Sequence, residues 1–176
     1  VRRRVHRRRF EACAILLLFG AVLSGCDHGL TPVQIQPGFG GTIRFTGTWL
    51  PQSDTTDLRL VASKVFRKFA SPTEVIALVL TTDSVKIYPP VAQSRGLQMG
   101  QAELRYQFFV DPGEYKFVAL LYRYGSQIFS DWRVIGFYGS YTATELSPRS
   151  VVVRPGEFTE GIDFAVDLNN PPPQPF

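Results

Sequence analysis

Ala102-Glu103-Leu104-Arg105-Tyr106-Gln107-Phe108-Phe109-Val110, followed by Asp111-Pro112-Gly113-Glu114-Tyr115, decides the fold. Ala102, Leu104, Tyr106, Phe108 and Val110 alternate with Glu103, Arg105, Gln107 and Phe109. A period of two sends successive side chains to opposite faces, so this is a strand with one buried side. Pro112 then fixes its own φ and Gly113 tolerates a positive one, the pairing a type II turn requires. From Glu114 to Tyr124 the chain is apolar at both parities, which suits a strand covered on both faces. The expectation is a hairpin at the middle of the fold.

Working outward, the same alternation recurs. Gly41–Gly47 places Ile43 and Phe45 against Thr42, Arg44 and Thr46, and Asp57–Ser63 places Leu58, Leu60 and Ala62 against Arg59, Val61 and Ser63. Pro51-Gln52-Ser53-Asp54 turns the chain between them. Ser71-Pro72-Thr73-Glu74 is a capping box with Pro at the first helical position. It predicts a short helix over Pro72–Thr81, with a strand as the alternative because Val75, Ile76, Val79 and Leu80 also suit one. Further strands are predicted at Ser84–Tyr88, at Trp132–Tyr141, at Ser150–Arg154, and at Glu160–Leu168 with Ile162, Phe164, Val166 and Leu168 inward. Asn169–Phe176 holds four prolines and predicts extended, polyproline-like chain.

About seven short strands separated by turn signals predict an all-β, antiparallel Greek-key sandwich with one inserted helix. The Pro-Gly-x-Tyr turn between two strands, Pro112-Gly113-Glu114-Tyr115, resembles the carboxypeptidase-regulatory and transthyretin-like family of sandwiches. The resemblance would span residues 41–168. An immunoglobulin-like sandwich stays open as the alternative. The transthyretin-like family includes hydrolases of a purine breakdown product, which rely on histidines and a C-terminal Tyr-Arg-Gly-Ser. This chain ends Pro-Pro-Gln-Pro-Phe, and Tyr138-Gly139-Ser140 lacks the arginine, so that activity does not carry over.

The amino-terminal end has a different character. Six arginines among the first ten residues precede an apolar run from Ala12 to Leu23. That run is shorter than the roughly 20 residues a membrane-spanning helix needs, and a basic head with a short apolar core is the pattern of an export signal. Leu23-Ser24-Gly25-Cys26 ends it and resembles the lipobox of bacterial lipoproteins. The resemblance implies cleavage before Cys26, a diacylglycerol on its sulfur and an acyl chain on its new amino group. With each buried methylene contributing about 0.8 kcal/mol, two or more chains anchor stably. The organisation expected is a signal peptide over 1–25, a lipidated Cys26 with a tether over 26–40, a sandwich over 41–168 and a Pro-rich tail over 169–176. Pro32, Pro37, Gly38, Gly40 and Gly41 punctuate the tether, and a flexible stretch of that length reaches roughly 20 Å. Arg7-Arg8-Arg9-Phe10 also matches a twin-arginine signal, with Glu11 where an apolar residue belongs; the general secretory route is favoured. Asp27 resembles the retention signal that keeps enterobacterial lipoproteins in the inner membrane, so inner and outer membranes both stay open.

Charge follows the same division. The full chain is +4, but the predicted leader takes six of the 19 basic and one of the 15 acidic residues, leaving a net of about −1. A nucleic-acid partner loses its electrostatic footing. Fourteen Phe and seven Tyr supply ample core material. His28 is the only histidine beyond the leader and lies in the tether, so a hydrolytic triad has no base and a zinc site lacks ligands. Asp163 and Asp167 share a strand face about 13 Å apart at the strand rise, too far for a glycosidase pair. No cofactor or metal is expected, and the chain reads as a non-enzyme.

One cluster could bind a ligand. Trp132, Tyr138 and Tyr141, with Phe137 among them and Asp131 and Arg133 alongside, could form an aromatic platform on which a sugar ring stacks while the charges orient its hydroxyls. The competing reading is that these rings plug one end of the sandwich. The sequence therefore leads to a lipid-anchored, non-enzymatic envelope protein. Its expected partners are the membrane, through its lipid, and an envelope protein or glycan.

Overall fold

The computed structural model describes residues 34–49, 51–53, 55–90 and 92–176. The leader, Cys26 and the first part of the expected tether lie outside them. Among the described residues twelve strands and one helix follow in order: β1 Gly38–Thr46, β2 Asp57–Ser63, α1 Pro72–Thr81, β3 Val85–Tyr88, β4 Glu103–Phe109, β5 Gly113–Tyr115, β6 Phe117–Arg123, β7 Trp132–Phe137, β8 Gly139–Tyr141, β9 Leu146–Pro148, β10 Val151–Val153, β11 Phe158–Thr159 and β12 Phe164–Asp167. The fold is an all-β sandwich. In one sheet β1 is central, with β4 antiparallel on one side and β11 then β12 along the other. The facing sheet has the order β3-β2-β6-β7, antiparallel throughout. The pairings of β1 with β11 and β12 are parallel, a departure from the purely antiparallel expectation.

The predicted alternation places the side chains correctly. Ile43 and Phe45 of β1, Tyr106 and Phe108 of β4, and Phe164 and Val166 of β12 meet Leu58, Leu60 and Ala62 of β2 and Val118, Leu120 and Tyr122 of β6 in one buried cluster. A second cluster covers the other face of β2 and β6. Val61, Phe117, Ala119, Leu121, Trp132 and Val134 form its floor, and Val75, Ile76, Leu78 and Val79 of α1 lie over it. The β3-β2-β6-β7 sheet is thus covered on both sides, which is why β6 carries apolar residues at both parities.

The cap of α1 forms as its sequence predicts, with one shift. Ser71 accepts from the Glu74 amide, but the Glu74 carboxylate reaches back to the Ala70 amide rather than to that of Ser71. That backbone bond leads in holding the Glu74 carboxyl below the usual carboxylate range, with the paired Arg67 guanidinium adding to it.

Two further expectations need correction. The stretch around Pro112 is not a hairpin: β4 pairs with β1, while β6 pairs with β2 and β7 in the opposite sheet. The turn carries the chain across the core. Tyr115 donates from its hydroxyl to the Asp111 carbonyl at 2.9 Å and closes the corner, and the three residues of β5 pair with β10. Exposed Lys116 separates β5 from β6. Next, the expected tether overlaps β1, which begins at Gly38.

The Pro-rich tail is extended but is not free chain. The Gln174 side-chain amide accepts from the Val134 amide at 2.7 Å and donates to the Val134 carbonyl at 3.0 Å, occupying the outer edge of β7 as a neighbouring peptide would. Pro175 accepts from the Phe69 amide, and Phe176 packs into the second cluster. An unpaired strand edge is a template for association; here Gln174 caps it at Val134.

Candidate functional site

The proposed aromatic platform does not assemble. Trp132 and Tyr138 stand on opposite faces of their sheet and are only 5% and 8% exposed. Trp132 lies in the outer cluster and its Nε1 donates to the Ile128 carbonyl at 2.6 Å. Tyr138 lies in the inner cluster beneath Arg149, whose guanidinium is 4.8 Å from the ring centre. Phe137 is buried against Phe117. Tyr141 alone is partly open, with its hydroxyl donated to the Asn170 carbonyl. The Asp131 carboxylate accepts from the Gln127 amide and the Ser130 hydroxyl, closing the β6–β7 loop. Arg133 lies over the rings of Tyr122 and Tyr124. Trp132 and Phe137 thus belong to the outer cluster and Tyr138 to the inner one, and the sugar-stacking reading of Trp132 and Tyr138 falls because two buried rings on opposite faces cannot receive one ligand.

A different surface is concave. A groove of about 750 Å³ runs along β1 and β4, bordered by Arg105, Gln107, Phe109, Phe158, Glu160 and Asp163. Phe109 is 50% exposed, and its ring lies 5.6 Å from that of Phe158. Its position in the sequence is the signal that could have found the groove: Phe109 continues the row of Glu103, Arg105 and Gln107, where alternation predicts a polar residue.

Two adjacent glycines shape the floor. A side chain on Gly40 would start 2.6 Å from the Tyr106 carbonyl oxygen and 2.9 Å from the Phe158 ring. One on Gly41 would start 2.5 Å from the Ile162 carbonyl oxygen. Glycine in a strand interior marks such close approach. The approach lets the 160–163 segment cross between β11 and β12, and it brings the Asp163 carboxylate to the Thr42 amide at 2.7 Å.

On the opposite sheet lies a group that alternation places on the face of β2 away from Leu58, Leu60 and Ala62. Arg59 is 2% exposed. Its Nε donates to Asp57 at 2.7 Å, and its terminal nitrogens donate to the carbonyls of Pro89, Pro90 and Gln93. Each of its three nitrogens donates to an acceptor within the fold, so it pins the segment after β3 rather than facing a ligand.

Among the described residues no group of three or more His, Cys, Asp or Glu is placed to hold a metal, and no helix is long and apolar enough to cross a membrane. Compared with protein-family models, with curated proteins and with solved structures, the chain finds no match.

Proposed function

We propose that this chain is a lipid-anchored, non-enzymatic protein of the bacterial cell envelope, acting by binding or scaffolding through the groove along β1 and β4. The anchor rests on Leu23-Ser24-Gly25-Cys26 at the end of a short apolar run. The single observation that carries the binding role is the groove. It is a concavity of about 750 Å³ on paired strands, with exposed Phe109 and half-buried Phe158 beside Arg105, Gln107, Glu160 and Asp163. Apolar contact with a few orienting polar groups is the make-up of binding sites in general. A polyhydroxylated envelope glycan suits it, since the Phe109 and Phe158 faces offer stacking and the charged rim offers hydrogen bonds. A peptide segment of an envelope protein is the other occupant of the same chemistry.

Mass spectrometry of the mature amino terminus tests the anchor: Cys26 carrying diacylglycerol is expected, and an unmodified Cys26 on membrane-extracted protein removes it. A glycan array, with Phe109→Ala as the control, tests the groove. Binding lost in that variant is the expected result, and equal binding by both proteins places the ligand elsewhere.

A further inference from the structure

A second concavity, independent of both the anchor and the groove, lies on the opposite side of the β3-β2-β6-β7 sheet. It is a slot of about 170 Å³ between Ile76 and Leu80 of α1 and the Ile128–Phe129 loop, with Trp132 beneath and Phe176 alongside. Every side chain lining it is apolar, and the one polar atom among them, the Trp132 indole nitrogen, is committed to the Ile128 carbonyl. Water inside would find no partners. Cavities of this kind stay dry, and one of about 150 Å³ lined by Leu, Ile and Phe takes up benzene.

We propose that this slot binds one alkyl chain of an anionic amphiphile, a long-chain carboxylate. Three observations select that occupant. The first is size: a single turn of helix, about 10 Å across and 5.4 Å tall, occupies roughly 400 Å³, so the slot excludes a partner helix but admits about a benzene's worth of carbons in single file. The second is the way the apolar surface continues past the opening. Leu80 is 65% exposed and Phe129 56%, and none of the apolar residues of α1 is fully buried. A chain longer than the slot therefore stays covered as it leaves. The third is charge: Arg123, on the same sheet face, holds its guanidinium 5.7 Å from the centre of the Trp132 ring. Arg123 is not itself part of the carbon lining and its Nε donates to the Thr55 carbonyl at 2.8 Å, so it is the terminal nitrogens of this cation, beside Trp132, that suit a carboxylate head.

The test uses the purified full chain carrying Trp49→Phe, so that Trp132 is the sole fluorophore, titrated with 12-bromododecanoate below its micelle concentration. Bromine at the chain end quenches an indole only at contact. Saturable quenching is expected. Ile76→Phe, which fills the slot, should weaken it at least tenfold, and surface-exposed Leu80→Gln should weaken it less while leaving the thermal melt unchanged. Arg123→Gln should weaken the carboxylate by about tenfold, the worth of one charge-assisted hydrogen bond, without changing binding of the methyl ester. Linear, non-saturating quenching overturns the proposal, as does an unchanged titration with a folded Ile76→Phe. Quenching that requires added phosphatidylglycerol vesicles assigns the apolar face to a bilayer instead, and self-association that hides Trp132 assigns it to a second copy; either result replaces the amphiphile.

Discussion

The two faces of the β3-β2-β6-β7 sheet are built from the same strands but closed in different ways. Toward β1, β4 and β12, Leu58, Leu60, Ala62, Val118 and Leu120 are wholly buried against another sheet. Toward α1 the cover is partial: the helix has no fully buried residue, and the tail and the Ile128–Phe129 loop complete it. At the end that α1 does not cover, Arg59 closes the face through hydrogen bonds instead of carbon contacts. The contrast teaches that the inner face supplies stability, whereas the outer face has spare apolar surface available for contacts.

The largest test of that division is Arg59→Ala. Removing one member of a buried, hydrogen-bonded pair leaves Asp57 and three carbonyls without their partner, and costs about 3–5 kcal/mol. Urea denaturation should show it; a loss below about 1 kcal/mol would mean that the clamp is solvated. Next comes a matched pair. Leu120→Ala on the inner face should cost about 2–5 kcal/mol as a core truncation, whereas Leu78→Ala on α1, only partly buried, should cost clearly less. Equal costs in chemical denaturation would erase the distinction between the faces.

A pH series sharpens the same comparison. Burial pushes the inner-face Tyr106 hydroxyl well above the usual phenol range, and burial with the nearby Asp111 pushes Tyr115 up to about 12. Both groups are neutral when protonated, and an unfolded tyrosine loses its proton near pH ~10. Below that value their contribution is complete. Above it the unfolded chain releases protons that the fold retains, so stability should fall as pH rises from about 10 toward 12. Tyr106→Phe should flatten the slope, measured as urea midpoint against pH. The smallest expected effect is that of Gln174→Ala, which exposes one amide and one carbonyl of the β7 edge and should cost about 1 kcal/mol. Hydrogen exchange should report it as faster exchange at Val134, with the inner-face amides unchanged.

Much of the fold was legible. The bounds of β2 and α1 follow from alternation and from the Ser71–Glu74 cap, and the inward set of β4 and β12 matches its period. The hairpin was misread because alternation states which way side chains face, not which strand is the neighbour. Pro112-Gly113 suits a tight return and a crossing between sheets alike. Gly40 and Gly41 read as linker residues, since the close approach of Phe158 and Ile162 that requires them comes from 118 and 121 positions along the chain. The candidate platform failed for a similar reason: aromatic density is visible in sequence, but the partition of Trp132 and Tyr138 between two faces is set by the irregular β6–β7 register at Leu120 and Leu121.

The amino-acid sequence by itself determined the local states: the strand periods, the capped helix, the turn at Pro112-Gly113, and the predominance of β structure. These depend on steric and hydrogen-bonding preferences between residues only a few positions apart. The tertiary structure decided which strands pair, that Arg59 is buried, that Gln174 caps an edge at Val134, and where the two concave surfaces lie. Each of those depends on segments distant in the chain meeting across a shared core, where burial and partner choice are settled by the whole fold rather than by any one stretch of it.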